Sequence, residues 1–236
     1  METSLHRELK RIYAGTPSSC EVRIGDYRID ATRDGTLIEI QHGSLAAIRA
    51  KLDALLADGH RVLVVKPIVR RKLLVQLDRR RGAVVRRRYS PKQGDLLDVF
   101  QEMVYLARIF PHPSLAIDAA LCDIEEIRYP RTGRKRWNGP DYRVEDQKLV
   151  HLSDTRRLAT SDDLGAFLPS SLPDRFHTGH LAASLGCPRW IAQKIAYCLR
   201  ACGQVRADGK QGNAVLHRLN RAGPSTRAPS RGARRA

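Results

Sequence analysis

The spacing of apolar and polar positions changes period several times along the chain. Over residues 4–13, Leu5, Leu9 and Ile12 recur at helical spacing, Glu8 lies beside that stripe, and Ser4 can cap the start. GTPSS then interrupts the pattern. From Cys20 to Ile24 the period drops to two, with Cys20, Val22 and Ile24 set against Glu21 and Arg23, as in a half-buried strand. Gly25-Asp26 predicts a turn into a second strand over Tyr27–Thr32, and Asp34-Gly35 a turn into a third over Thr36–Gln41. A helix is expected from Ser44 to about Leu56, with Leu45, Ile48, Leu52 and Leu55 on one stripe. RVLVVK, residues 61–66, is a near-continuous apolar run that suits a buried strand, expected to end at Pro67. The order so far is αβββαβ.

A basic stretch follows, expected to form a hairpin turning at Asp78–Gly82. Residues 95–110 have the period of a strong helix, 115–129 read as a long strand, and RTGRKRWNGPDY as a loop. No element is assigned between that loop and Thr160. Beyond it, SDDLGAFLP and TGHLAASLG predict two short helices, and PRWIAQKIAYCLRACG a third ending at Gly203. VRADGKQGNAVLHRL then predicts two short strands about a Gly-rich tip. The expected class is α/β, with residues 1–155 as one domain, 156–222 as a second of winged helix-turn-helix order, and 223–236 as a disordered basic tail.

The segment YRIDATRDGTLIEIQHGS, residues 27–44, carries more polar chemistry than a packing strand needs. Alternation places Leu37, Glu39 and Gln41 on one face and Ile38 and Ile40 on the other. If the strands pair through Asp34-Gly35, Asp30 and Glu39 converge near one end of the sheet. Two carboxylates held together repel unless something neutralises them, and a hard divalent cation, Mg²⁺ or Mn²⁺, does so with oxygen ligands. Asp30 and Glu39 are therefore the candidate metal ligands. Gln41 would position water or phosphate, and Glu8 would act as a supporting acid. The plainer alternative is a salt-bridged pair with Arg28 or Arg23. Against it stands Gln41 among apolar neighbours, since a buried polar group without a partner is costly.

With helical Glu8, strand-end Asp30 and the Glu39-x-Gln41 couple, residues 4–66 resemble the restriction-endonuclease-like PD-(D/E)XK nuclease superfamily. IEIQHGSL is most similar to its competence-protein CoiA-like branch, where Gln takes the place of the usual Lys. The resemblance implies a restriction-endonuclease-like αβββαβ core, Mg²⁺ roles for Asp30 and Glu39, and hydrolysis of DNA phosphodiester bonds. The change at Gln41 leaves a second class open, a non-catalytic DNA-binding or regulatory protein on a degenerate nuclease fold.

Charge strengthens the expectation of a polyanion partner. The chain holds 42 basic and 25 acidic residues, formally +17, with 33 Arg against 9 Lys. Residues 66–92 alone hold eleven basic residues and one acid, Asp78. Arg70, Arg71, Lys72, Arg86, Arg87 and Arg88 are the candidate phosphate contacts, while a merely solvated face is the alternative. On the third helix of the second domain, Arg189, Gln193, Tyr197 and Arg200 share a face distinct from the stripe of Ile191, Ile195, Cys198, Leu199 and Cys202. Arg and Gln suit base edges, which makes Arg189, Gln193 and Arg200 candidate nucleic-acid contacts. A docking or dimerisation module, and with it a homodimer, is the alternative. DNA is the expected partner, with RNA as the other choice.

Hydrophobic residues make up 42% of the chain, enough for a real core, and no apolar run reaches the length of a membrane span. Residues 1–13 lack the apolar stretch of a signal peptide. The five cysteines have no disulfide spacing, and His177, His180 and the neighbouring cysteines do not match a zinc finger. The expected compartment is cytoplasmic.

Overall fold

The computed structural model describes residues 2–16, 20–131 and 140–220. The expected tail over 223–236 and most of the RTGRKRWNGPDY loop lie outside them. The chain divides into two compact units, Met1–Thr160 and Ser161–Ala236.

The first unit is mixed α/β, built on one large mixed sheet. Helix α1 (Ser4–Ala14) leads to β1 (Cys20–Ile24), β2 (Tyr27–Arg33) and β3 (Thr36–Ile40), followed by a 3-10 turn (Leu45–Ile48) and α2 (Arg49–Ala57). Then come β4 (Arg61–Leu77), β5 (Val84–Tyr89), a second 3-10 turn (Leu96–Val99), α3 (Phe100–Leu106), β6 (Leu115–Pro130) and β7 (Tyr142–Leu158). The sheet order is β1-β2-β3-β4-β6-β7, with β5 pairing on β4. Strands β3, β4 and β6 run parallel, and the remaining pairs are antiparallel. Leu5, Leu9 and Ala14 of α1 pack on one face of the sheet with Ala31, Ile38, Ile40, Leu63, Val65 and Ala120. Ile12, expected on the same stripe, is exposed instead.

Two local expectations are corrected, and one strand lies where no element is assigned. Pro67 does not end its strand, because β4 continues through it to Leu77. Val65 O accepts from Gln41 N–H at 2.9 Å, so odd-numbered residues of β4 direct their backbone groups toward β3. Since β3 stops at Ile40, the N–H that proline lacks falls on a side with no strand to bond. The helix expected over 95–110 is a 3-10 turn and a short α3 ending at Leu106. No period in the sequence marks strand β7. Among the described residues it pairs only with β6 and exposes much of its length, so its sequence is polar and barely alternates.

The second unit contains α4 (Ser161–Gly165), α5 (Thr178–Leu185) and α6 (Arg189–Ala201), then the antiparallel hairpin of β8 (Val205–Gln211) and β9 (Ala214–Leu219). Its core is Leu164, Phe176, Leu181, Ile191, Ile195, Leu199, Val205 and Leu216. Phe176 also forms an isolated backbone bridge with His217.

No helix among the described residues is long and apolar enough to cross a membrane.

Candidate functional site

The β2–β3 ladder pairs Arg33 with Thr36, Thr32 with Leu37 and Ala31 with Ile38. Beyond Ala31 the pairing gives way to a side chain. Asp30 Oδ2 accepts from Ile40 N–H at 2.9 Å, standing where a ladder carbonyl would otherwise be. The next amide, Gln41 N–H, already belongs to β4. Asp30 thus marks the fork at which β3 parts from β2.

Two residues of α1 reach this carboxylate: His6 Nε2 lies 3.0 Å and Lys10 Nζ 3.3 Å from Oδ1. Burial alone would raise the Asp30 pKa. The His6 and Ile40 hydrogen bonds, with the charges of His6 and Lys10, outweigh it and hold the group below its ordinary value. Lys10 is itself buried yet holds its proton tightly, because Glu2 at 2.7 Å and Glu21 at 2.9 Å join Asp30 around it.

Glu39 is buried and, by alternation, projects to the face opposite Ile38, Ile40 and α1. Its Oε1 is bound by Lys51 of α2, whose Nζ also donates to Arg28 O at 2.5 Å. Burial and the negative charge of Asp30 push the Glu39 pKa up, and Lys51 offsets them only in part. Their environments drive the two acids apart: Asp30 is held below its ordinary value while Glu39 holds its proton to higher pH.

Gln41 Nε2 donates to Ser44 O at 2.8 Å. The same turn is held from below by buried Lys66, which donates to His42 O at 2.9 Å and Gly43 O at 2.5 Å. From the side, Glu102 Oε2 of α3 accepts from Leu45 N–H at 2.7 Å and Ser44 Oγ at 3.0 Å. Burial lowers the Lys66 pKa against the opposing charge of Glu102. Glu8 lies elsewhere. It accepts from Leu149 N–H of β7 at 2.9 Å and, with Ser4 on Asp146, ties α1 to the far edge of the sheet. The charge of Asp30 reaches Glu39, although α1 holds the first acid and α2 the second, and Gln41 caps the loop that follows. His6, Lys10, Lys51 and Glu102 were not singled out by sequence reading. The i,i+4 pair His6/Lys10 facing the strand acid was the one available signal.

The basic residues separate into two populations. Arg70 makes a two-pronged ion pair with Asp123, at 2.8 and 2.5 Å, and Lys72 binds Glu126 at 2.7 Å. Arg71 is exposed, its guanidinium 4.7 Å above the Tyr89 ring. Arg86, Arg87 and Arg88 lie on β5, where every residue is exposed, and none has an acidic partner among the described residues. In the second unit, Arg189, Gln193, Tyr197 and Arg200 occupy the exposed face of α6, while Ile191, Ile195, Cys198 and Leu199 are buried. His177 Nδ1 caps α5, accepting from Gly179 and His180 N–H at 3.0 and 3.2 Å, and its ring stacks on His180. Among the described residues no three His, Cys, Asp or Glu side chains gather as a metal-holding group.

Residues 3–159 match the family described as "Domain of unknown function (DUF8091)", and the chain belongs to that family. A protein of Treponema pallidum (strain Nichols), described as "Uncharacterized protein", is 30% identical over 230 residues, covering 97% of this chain and 89% of that protein. The family match ends within the first unit, whereas this similarity spans both. No solved structure matches the chain.

Proposed function

We propose that the first unit is a metal-dependent nuclease hydrolysing DNA phosphodiester bonds, on a core of the restriction-endonuclease-like PD-(D/E)XK kind with the Gln variant of its CoiA-like branch. The observation that carries this reading is the fork: Asp30 accepts from Ile40 N–H at the end of the β2–β3 ladder, and its charge reaches the buried Glu39 carboxylate. Both offer only oxygen donors, the type a hard cation such as Mg²⁺ or Mn²⁺ prefers, and two carboxylates with waters and phosphate oxygens suffice to hold one. Such an ion, when bound, polarises the phosphodiester and lowers the pKa of an attacking water.

The chain's own residues supply the rest. Lys51, beside Glu39, provides the positive charge that Gln41 lacks and can meet a phosphate oxygen. Gln41 spends its amide N–H on Ser44 and keeps its carbonyl oxygen to orient a water. Arg86, Arg87 and Arg88 on β5 hold the backbone of the strand. Three helices followed by a hairpin support a winged-helix reading of the second unit, with Arg189, Gln193 and Arg200 facing DNA.

A second reading has its own observation. Lys10 and Lys51 already neutralise Asp30 and Glu39, so the pair is stable as it stands. That favours a DNA-binding or regulatory protein which cuts nothing. One experiment separates the two. The protein, Asp30→Ala and Glu39→Ala are incubated with supercoiled, linear, single-stranded and branched DNA, and with RNA, in EDTA, Mg²⁺ or Mn²⁺. Metal-dependent cleavage lost in both variants is the result expected of the nuclease. Salt-sensitive binding without cleavage in any lane gives the second reading.

A further inference from the structure

The exposed face of α6 is not flat. With β9 it encloses a cleft of about 270 Å³ lined by Arg189, Gln193, Tyr197, Arg200, Asn213 and His217. A volume at the small end of ligand pockets suits one small molecule or one residue of a polymer. Three features of its lining need a partner. Arg189 and Arg200 have no acidic partner among the described residues, so two guanidinium groups share one cleft uncompensated. His217 is only 5% exposed, and its Nδ1 has no hydrogen-bond partner, a rare state for a buried nitrogen. Gln193 and Asn213 bring two side-chain amides to the same cleft, each presenting a donor and an acceptor.

We infer that this cleft binds a single nucleotide, its phosphate held by Arg200 and its base read by the Gln193 and Asn213 amides and His217. A guanidinium matches two phosphate oxygens in a fork geometry. Side-chain amides pair with the donor and acceptor atoms of base edges, and Tyr197, 45% exposed at the rim, offers a ring on which a base can stack. Burial and the charge of Arg200 lower the His217 pKa, so the ring is neutral at physiological pH and can present a donor or an acceptor. The inference rests on the second unit contacting nucleic acid, not on cleavage by the first. Its ligand has two sources, a free nucleotide or a nucleotide unit of a strand.

Calorimetric titration of the full chain with dAMP, inorganic phosphate and a short single-stranded oligonucleotide tests it. Binding of dAMP or the strand, tighter than phosphate, is expected, weakened by about tenfold or more in Arg200→Ala and in Gln193→Ala. Arg206→Ala, an exposed change outside the cleft, should leave binding unchanged. A strand that binds more tightly than dAMP and is displaced by it identifies the polymer as the source. Equal affinity identifies the free nucleotide. The inference is overturned if neither dAMP nor the strand binds, or if the two cleft variants bind as the unaltered protein does. Should Arg189→Ala abolish duplex binding while dAMP binds nowhere, the cleft is dismissed and the reading of α6 as a DNA-facing helix survives.

Discussion

Arg70 and Lys72 on β4, and Arg86 to Arg88 on β5, belong to one basic stretch of sequence, yet the sheet treats them oppositely. Register pairs β4 with β6 along most of its length, which brings Asp123 and Glu126 to Arg70 and Lys72. Among the described residues strand β5 pairs only with β4, with Arg86 to Arg88 opposite Gln76, Val75 and Leu74, and these arginines meet no acid. Equal charge in the sequence therefore means internal neutralisation in one strand and availability to a partner in the next. Counting basic residues measures the sum. Only the second group can neutralise phosphates at no cost to an existing ion pair.

Breaking the neutralised side should have the largest effect. Glu126 is buried and accepts from Lys72 at 2.7 Å, from Arg128 Nε at 2.5 Å and from Gln147 at 2.8 Å. Removing it in Glu126→Ala leaves Lys72 and Arg128 partly buried and unpaired. A loss of about 3–5 kcal/mol in urea unfolding is expected, whereas Arg87→Ala should leave the midpoint where it was.

Next comes the salt dependence of DNA binding. Changing Arg86, Arg87 and Arg88 together to Ala should reduce the slope of log K against log salt by about 3, near 0.9 per phosphate contact. Arg70→Ala should leave the slope unchanged. An equal loss from Arg70→Ala would show that the Asp123 pair opens on binding.

The smallest effect lies in pH and carries the same contrast to the acid pair. Asp30 is held below its ordinary 3.8. The stability it contributes is therefore present above that value and is lost as pH falls through the lowered one. Glu39 is held above its ordinary 4.5. Here the folded state binds its proton more tightly than the unfolded chain, so the contribution is full below 4.5 and is lost as pH rises through the raised value. Unfolding curves across the acid range should show Glu39→Gln removing the decline above about 4.5, and Asp30→Asn removing the loss below about 3.8. Parallel profiles for the two variants would show that one environment governs both acids.

Much of the first 66 residues was legible because the signals are local. Asp34-Gly35 specifies a tight turn, the turn sets the register that ends with Ala31 opposite Ile38, just short of Asp30 and Glu39, and alternation separates Glu39 from Ile38 and Ile40. Strand β7 was illegible for the converse reason. An edge strand with solvent on much of its surface carries no apolar rhythm, and its pairing with β6 depends on residues far away in sequence. Pro67 misled because a missing N–H ends a strand only where a neighbour needs it. Glu8 was assigned to the acid pair by helix face alone, and the side of the sheet it serves followed from β7, which no local pattern announced.

By itself, then, the sequence determined the periods, the turns, the placing of two acids at the end of one ladder, and the excess of positive charge. These follow from backbone geometry and side-chain type within a few residues. The tertiary structure alone decided which charges are already paired. It set Lys10 and Lys51 on the two acids, Asp123 and Glu126 on the inner cations, and left Arg86 to Arg88 without an acidic partner among the described residues. Ion pairing falls off over a few ångströms and is strengthened by burial. It is therefore governed by register and packing between residues dozens of positions apart, which local spacing does not encode.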